Sequence, residues 1–285
     1  MKKCALIRAR GILLKNVGLG LTASLAMGVA ASAAVYTDNF DSYAAGSNLS
    51  GQGGWTDTGG GTAYKTVSGG GAGGTQGITT GAGSTQINWT GYLWNWGTSV
   101  AVGESVVVGM DFQANGSGQF DDDRVGWVLA SNATSSSYHF GVQLDNSAGG
   151  LETYFRDTSG NRVLQTTVMN WTALGIPTGS NWYREQLTVK KLTSGLGAGG
   201  AEVSVSFWAL DGSGNPIGSP LTASYGNIDT STLRGFSGDV YPMFKNYSAQ
   251  PGNADNAYFA IIPEPGSWSL FAVGVLALGA RRRRA

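Results

Sequence analysis

Short runs in which apolar and polar residues alternate constrain the fold of this 285-residue chain more than any other feature. Three such runs are the clearest: Val106–Phe112, Tyr138–Leu144 and Val203–Trp208. A strand directs successive side chains to opposite faces, so each run can bury one face and leave the other in solvent. Similar runs cover Thr62–Val67, Arg124–Ala130, Leu151–Asp157, Arg162–Val168, Trp182–Leu192, Gly238–Phe244 and Ala257–Ile262. The pattern predicts an all-β fold of about a dozen strands in two packed antiparallel sheets.

Turn signals separate these runs and indicate one domain without a linker. Asp145–Ser147, Asp157–Asn161 and Asp211–Pro216 have the composition of hairpin loops, because Asp, Asn and Gly accept the backbone angles of tight turns. The glycine-rich stretch Gly69–Gly83 is predicted to be a long surface loop.

The C-terminal end carries three signals in a fixed order. Pro263, Glu264 and Pro265 come first, an apolar run from Gly266 to Ala280 follows, and Arg281, Arg282, Arg283 and Arg284 come last. A helix over the apolar run would be roughly 22 Å long, against a membrane core of roughly 30 Å. We expect a single transmembrane helix over 266–280 that serves as a temporary anchor, with the arginines on the cytoplasmic side.

The N-terminal end has the pattern of a secretory signal peptide. Basic residues precede an apolar stretch over Val17–Ala30, and Ala31-Ser32-Ala33 fits an A-x-A cleavage site. The predicted organisation is therefore a signal peptide at 1–33, a β-sandwich ectodomain at 34–262 and a sorting tail at 263–285. Cleavage removes Cys4, the only cysteine, so the ectodomain has no disulfide and no cysteine metal ligand.

The balanced charge of the whole chain conceals an acidic middle. Nine of the 18 basic residues lie in the two ends, whereas 17 of the 18 acidic residues lie between them, which leaves a formal charge near −8 there. Such a surface argues against binding nucleic acid or anionic polymers by bulk electrostatics.

The tail resembles the PEP-CTERM sorting signal of Gram-negative bacteria, because all three parts occur in order at the C-terminus. The resemblance implies recognition by an exosortase, a membrane enzyme that processes the protein near the motif. It also implies an exported protein that is held briefly in the inner membrane and then reaches the cell surface or the extracellular matrix.

The middle of the chain resembles concanavalin A-like and laminin G-like jelly-roll modules. The resemblance rests on the segments Asp38–Tyr43, Gly51–Trp55, Trp182–Arg184 with Val203–Val205, and Asp255-Asn256 before the last strand. It implies two curved antiparallel sheets whose first and last strands lie close together. Many such modules bind carbohydrate and some are glycoside hydrolases.

Aromatic residues supply the clearest ligand signal. Trp94 and Trp96 are expected to share a strand face, where they could stack on sugar rings or fill the core. On two strands that could be neighbours, His139 and Gln143 with Tyr154 and Arg156 could line a groove. These six residues are the candidate glycan-binding residues.

Catalytic and metal signals are weaker. Glycoside hydrolysis needs two positioned carboxylates, and the Glu-x-Asp-x-x-Glu strand common in jelly-roll hydrolases does not occur. Asp121, Asp122 and Asp123 are predicted to form a solvated turn, with a loose Ca²⁺ site as the alternative. With one histidine and no mature cysteine, zinc is not expected.

These observations predict a non-enzymatic, exported protein without a required cofactor. Its predicted role is carbohydrate binding or a structural part in an exopolysaccharide matrix, with an exosortase and an extracellular polysaccharide as partners. The alternatives are a glycoside hydrolase on the same fold and a Ca²⁺-dependent adhesion module.

Overall fold

The computed structural model describes residues 34–57, 64–79, 85–113, 125–130, 138–145, 150–170, 182–246 and 253–263. Within them, sixteen strands form two eight-stranded sheets in which all the paired strands are antiparallel. The predicted all-β sandwich is confirmed.

Sheet I contains both ends of the ectodomain and the strands between residues 182 and 228. Its strand order is β14 (Pro216–Ile228), β13 (Ala201–Leu210), β12 (Trp182–Lys191), β7 (Ser105–Gln113), β16 (Asn253–Ile262), β4 (Gly77–Thr79) and β3 (Lys65–Val67), and β1 (Ala34–Asp38) also pairs with β16. The first and last strands are thus hydrogen-bonded neighbours, as expected, with Ala34 opposite Ile261.

Sheet II contains the middle of the chain, residues 125–170, together with strands on either side of it in the sequence. Its order is β11 (Arg162–Asn170), β10 (Gly150–Arg156), β9 (Tyr138–Asp145), β8 (Val125–Ala130), β15 (Asp239–Asn246), β5 (Thr85–Trp89) and β2 (Trp55–Asp57), and β6 (Trp94–Asn95) pairs with β15. The described helical segments are short: α1 (Trp96–Ser99) and 3₁₀ turns at Ala72–Gly74 and Thr90–Tyr92.

Alternate residues of the sheet I strands form one side of the core. On β12 every second residue from Tyr183 is buried, and on β13 every second residue from Ala201 to Phe207 is buried. Aromatic stacking takes much of the core: the rings of Tyr183 and Phe207 lie 5.3 Å apart, and those of Trp55 and Trp89 lie 4.8 Å apart and nearly parallel. Large aromatic rings thus fill a core that has no disulfide.

One lysine is buried beside α1. The Lys191 ammonium donates hydrogen bonds to the carbonyl oxygens of Trp96 at 2.6 Å and Val100 at 2.8 Å. It also lies 5.6 Å from the centre of the Trp96 ring. Burial lowers the pKa of Lys191, since desolvation disfavours its charged form. The side chain therefore anchors the segment between α1 and β7 to β12.

Two predicted turns are confirmed and one predicted loop is wrong in part. The turns at Asp157 and Asp211 close as hairpins, because each aspartate accepts backbone hydrogen bonds from residues two to four positions later. The stretch Gly69–Gly83 is not only a surface loop: it holds β4 in sheet I, and Ala72 in its 3₁₀ turn is buried. The predicted loop at Asp145–Ser147 lies mostly outside the described residues.

Strand β14 was not predicted, and its sequence explains why. The strand is exposed along most of its length, so no alternating pattern marks it. Its pairing with β13 has two irregularities, and Gly218 and Gly226 adopt positive φ angles there. Bulges of this kind use glycine because other residues resist that conformation.

No helix within the described ranges is long and apolar enough to cross a membrane. The predicted transmembrane segment 266–280 and the predicted signal peptide lie outside those ranges.

Candidate functional site

A groove of about 680 Å³ lies on the face of sheet I that points away from the core. The alternation that buries Tyr183 and Phe207 places Arg184 and Trp208 on this opposite face, directly across from each other in the β12–β13 register. Both residues are half-buried, and both line the groove together with Gln186 on β12. The groove therefore combines one large aromatic ring with charged and amide side chains.

A charge-paired network fixes the floor of the groove. Arg184 donates from Nε to Oδ1 of Asp111 at 2.6 Å and from Nη2 to Oδ2 at 2.7 Å. Asn256 donates to the same Oδ2 at 2.8 Å. Asp111 is fully buried, whereas the Arg184 side chain keeps 28% exposure. The bidentate pair with Asp111 raises the pKa of Arg184 above its usual value, so the pair holds a rigid guanidinium at the surface.

On the β7–β16 strand pair, the ring of Tyr258 packs directly against Gly109. Tyr258 on β16 is opposite Gly109 on β7, and a Cβ atom at Gly109 would lie 2.3 Å from the tyrosine ring. The Tyr258 hydroxyl donates to Oε1 of Gln186 at 2.5 Å. Burial raises the pKa of Tyr258, so its hydroxyl keeps its proton and remains a donor. Glycine in this strand interior permits the close approach of the ring.

A bulge in β16 aims Asn256 at this network. The register between β16 and β7 shifts between Asp255 and Tyr258, and Asn256 has a positive φ of 49°. The buried Asp255 carboxylate holds the bulge by accepting from the Ala72 amide and the Thr75 hydroxyl, each at 2.9 Å. Burial raises the pKa of Asp255 to about 6. The 3₁₀ turn in the glycine-rich stretch thus holds Asp255 and, through it, fixes the position of Asn256 in the groove.

The Asp38–Trp55 segment folds back on itself beside the groove and is held by hydrogen bonds to Asp38. Asp38, which lines the groove, accepts hydrogen bonds through Oδ2 from the Tyr43 hydroxyl at 2.5 Å and from Nε1 of Trp55 at 2.8 Å. Gly53 has a positive φ, and a Cβ atom there would lie 1.8 Å from the Tyr43 hydroxyl oxygen. Burial and the contact with Asp38 raise the pKa of Tyr43. Two of the segments that carry the fold resemblance, Asp38–Tyr43 and Gly51–Trp55, therefore form structural contacts.

The structure places Trp94 and Trp96 in the core. Their exposed fractions are 3% and 1%. Trp94 stacks against Phe259 with ring centres 6.1 Å apart, and Trp96 meets Phe236 edge-on at 4.9 Å. The expectation that they share a strand face is wrong, because α1 begins at Trp96 after Asn95 caps it by accepting from two backbone amides. Core packing, the alternative interpretation, describes both side chains.

The other four candidate glycan-binding residues lie on sheet II, away from the groove. The register pairs Tyr154 with Gly141 and Glu152 with Gln143, so β9 and β10 are neighbours as expected. The side chains of His139, Gln143 and Tyr154 lie outside the described part of the structure. Arg156 donates to the Gly160 carbonyl and so supports a hairpin turn.

The acidic and sorting candidates lie largely outside the described residues. Asp121, Asp122 and Asp123 are not described, and neither is the chain from Glu264 through Arg281, Arg282, Arg283 and Arg284. Pro263 is the last described residue and follows β16 directly. Among the described residues, no group of three or more His, Cys, Asp or Glu side chains could hold a metal ion.

Sequence reasoning missed the groove, although two signals for it were present. The run Val106–Phe112 was expected to leave one face in solvent, but the structure buries all of it, and a charged residue such as Asp111 in a buried strand needs a partner. Gly109 in the same run marks a position where another group approaches the backbone closely. Neither signal identifies Arg184, Trp208 or Tyr258, because those contacts depend on the pairing of strands that are distant in sequence.

Comparison with solved structures defines the class of fold. The metal-free form of lectin I-B4 from Griffonia simplicifolia superposes with a TM-score of 0.50 at 11% identity, over 80% of this chain and 99% of that chain. An endo-1,3-beta-glucanase from Streptomyces sioyaensis gives a TM-score of 0.49 at 11% identity, over 80% of this chain and 95% of that chain. The ectodomain thus has the same fold as the lectin, an antiparallel jelly-roll sandwich.

Comparison with protein families identifies the tail. Residues 262–284 match the PEP-CTERM protein-sorting motif. The motif marks an exported, surface-directed protein and implies processing by an exosortase. A comparison with curated protein sequences gave no match.

Proposed function

We propose that the ectodomain binds a polysaccharide in the sheet I groove and acts as a non-catalytic component of the cell surface or extracellular matrix. The observation that carries the proposal is that the half-buried Trp208 lies beside Arg184 and Asn256, two polar side chains that the buried Asp111 holds in place. An aromatic ring face suits the apolar face of a sugar ring, while fixed donors and acceptors suit its hydroxyl groups.

Preorganisation supports binding at this position. The Arg184 guanidinium is held by two hydrogen bonds to Asp111, and the Tyr258 hydroxyl is held by Gln186. Side chains that are fixed before the ligand arrives lose little conformational freedom on binding. A groove with these contacts can therefore select hydroxyl positions.

Binding without cleavage agrees with the state of the three acids at the groove, of which Asp38 is already engaged by Tyr43 and Trp55. Glycoside hydrolysis requires two carboxyl groups that reach the sugar from either side of the bond. Asp111 and Asp255 are opposite each other in the β7–β16 register, but both are buried. Asp111 is engaged by Arg184 and Asn256, and Asp255 holds the 3₁₀ turn. Both carboxylates therefore serve the architecture of the groove.

Calorimetric titration of the ectodomain with a panel of neutral and acidic polysaccharides tests the proposal. For a polysaccharide that binds, Trp208→Ala should weaken binding about thirtyfold or more, because an aromatic anchor contributes about 2 kcal/mol or more. Leu196→Ala is the matched control, since Leu196 is an exposed apolar residue outside the groove lining. Equal binding by the two variants would refute the groove, and absence of binding across the panel would refute the function. Release of reducing ends by the wild type would favour the hydrolase alternative.

A further inference from the structure

Strand β16 runs into the sorting motif without a linker. It ends at Ile262, and Pro263, Glu264 and Pro265 are the only residues before the apolar run begins at Gly266. Three residues can span at most roughly 10 Å, whatever their conformation. The enzyme that processes the motif therefore meets it beside the folded domain.

The end of β16 is paired with β1 through Ile261 and with β7 through Ile262. Ile261 is opposite Val106 of β7 and Ala34 of β1, and Ile262 is opposite Ser105 of β7. Phe259, two residues earlier, is buried between rings, with centres 6.1 Å from Trp94 and 5.9 Å from Tyr36. Backbone hydrogen bonds and a buried aromatic anchor thus hold β16 in sheet I up to the motif.

This pairing limits where the chain can be cut. Enzymes that act on peptides commonly hold the substrate as an extended strand through its main-chain N–H and C=O groups. In β16 these groups are paired with β1 through Ile261 and with β7 through Ile262, so Pro263 is the first residue that the enzyme can hold from both sides without opening the sheet. We propose that the bond that is cut lies on the C-terminal side of Pro265, so that the mature protein keeps Pro263, Glu264 and Pro265 at the end of β16.

The chemistry of the motif agrees with this position. Cleavage breaks a peptide C–N bond, joins its carbonyl carbon to the oxygen of water or to a nucleophilic oxygen or nitrogen of an acceptor, and passes a proton to the departing nitrogen. The bonds before Pro263 and before Pro265 both end at a proline nitrogen, which has no N–H for an enzyme to bind. The bond after Pro265 leads to the glycine nitrogen of Gly266 and is the first that has three residues beyond β16 on its carbonyl side.

An alternative route would open the sheet. If β16 peeled away from β1 and β7, the enzyme could hold residues 259–262 and cut before Pro265. That route would break the pairs of Ala260, Ile261 and Ile262 and expose the buried Phe259. It can be blocked by a disulfide, since Val35 and Ala260 are directly opposite each other and the predicted mature chain has no other cysteine.

The test is mass spectrometry of the C-terminal peptide of the mature protein, produced in cells that contain the processing enzyme. A C-terminus at Pro265 or later is expected; a C-terminus at or before Glu264, or no processing of the wild type, would overturn the proposal.

The doubly substituted Val35→Cys/Ala260→Cys precursor gives a second readout, with its reduced form as the matched control. We expect the oxidised and reduced forms to be processed at the same bond and at equal rates. Accumulation of the oxidised precursor alone would show that β16 must open and would overturn the proposal.

Discussion

Replacing Gly109 with alanine places a methyl group where the Tyr258 ring lies, since the new Cβ atom would be 2.3 Å from a ring carbon. The ring must move, and overpacking of this kind costs about 1–3 kcal/mol. Its movement also breaks the hydroxyl hydrogen bond to Gln186, which is worth about 0.5–1.5 kcal/mol. The free energy of unfolding should therefore fall by about 1.5–4.5 kcal/mol, and Tm should fall by roughly 3–18 °C. Urea denaturation of the ectodomain measures the first quantity, and calorimetry measures the second.

Two controls separate the clash from a general effect of alanine. Gly238→Ala should change stability by less than about 0.5 kcal/mol, because a Cβ atom at that position would have no other group within 4 Å. Tyr258→Ala removes the ring, so adding Gly109→Ala to it should cost little, and a double-mutant cycle should return most of the loss as coupling. A full loss of stability in the absence of the Tyr258 ring would refute the steric argument.

Three further changes test the supporting contacts, each by urea denaturation. Burial raises the pKa of Asp255 from 3.8 to about 6, so folding disfavours its ionised form. The free energy of unfolding of the wild type, relative to that of Asp255→Asn, should therefore rise by up to about 3 kcal/mol as the pH falls from 7 to 4. A difference that stays constant with pH would contradict this. Asp38→Ala should lower the free energy of unfolding by about 2–4 kcal/mol, because Trp55 Nε1 and the Tyr43 hydroxyl lose their acceptor. A loss below about 1 kcal/mol would show that these two hydrogen bonds are dispensable. Lys191→Met should lower the free energy of unfolding by about 1–3 kcal/mol, because two backbone carbonyls lose their buried donor. A variant more stable than the wild type would mean that the cost of burying the charge exceeds the gain from those hydrogen bonds.

The sequence predicts half-buried strands well and exposed or very short strands poorly. β12 and β13 alternate because one face of each meets the core, and this period of two is visible without a structure. β14 lacks the alternation because it is exposed on most positions, and β2 and β4 have only three residues each, too few to show a period.

The groove depends on strand register, which local patterns do not encode. Asp111 and Arg184 are 73 positions apart and meet only because β7 and β12 pair in one register. The prominent tryptophans at 94 and 96 could not be assigned from spacing, since Trp94 enters the core from β6 and Trp96 enters it from the single turn of helix after Asn95. Trp208, which no cluster of aromatic residues marks in the sequence, instead lines the groove, because the strand face on which it lies is set by the burial of its neighbour Phe207.

The irregular β14 bears on how this domain behaves when many copies are crowded together at a surface. A straight, exposed strand at the end of a sheet invites the same strand of another copy to continue the ladder, which leads to fibres. β14 carries no charged residue to repel a neighbour, but Pro216 and Pro220 offer no N–H, and its two bulges interrupt the straight run that a ladder would need. We therefore expect domains in a dense layer to remain separate from one another, so that only a bound polysaccharide connects them.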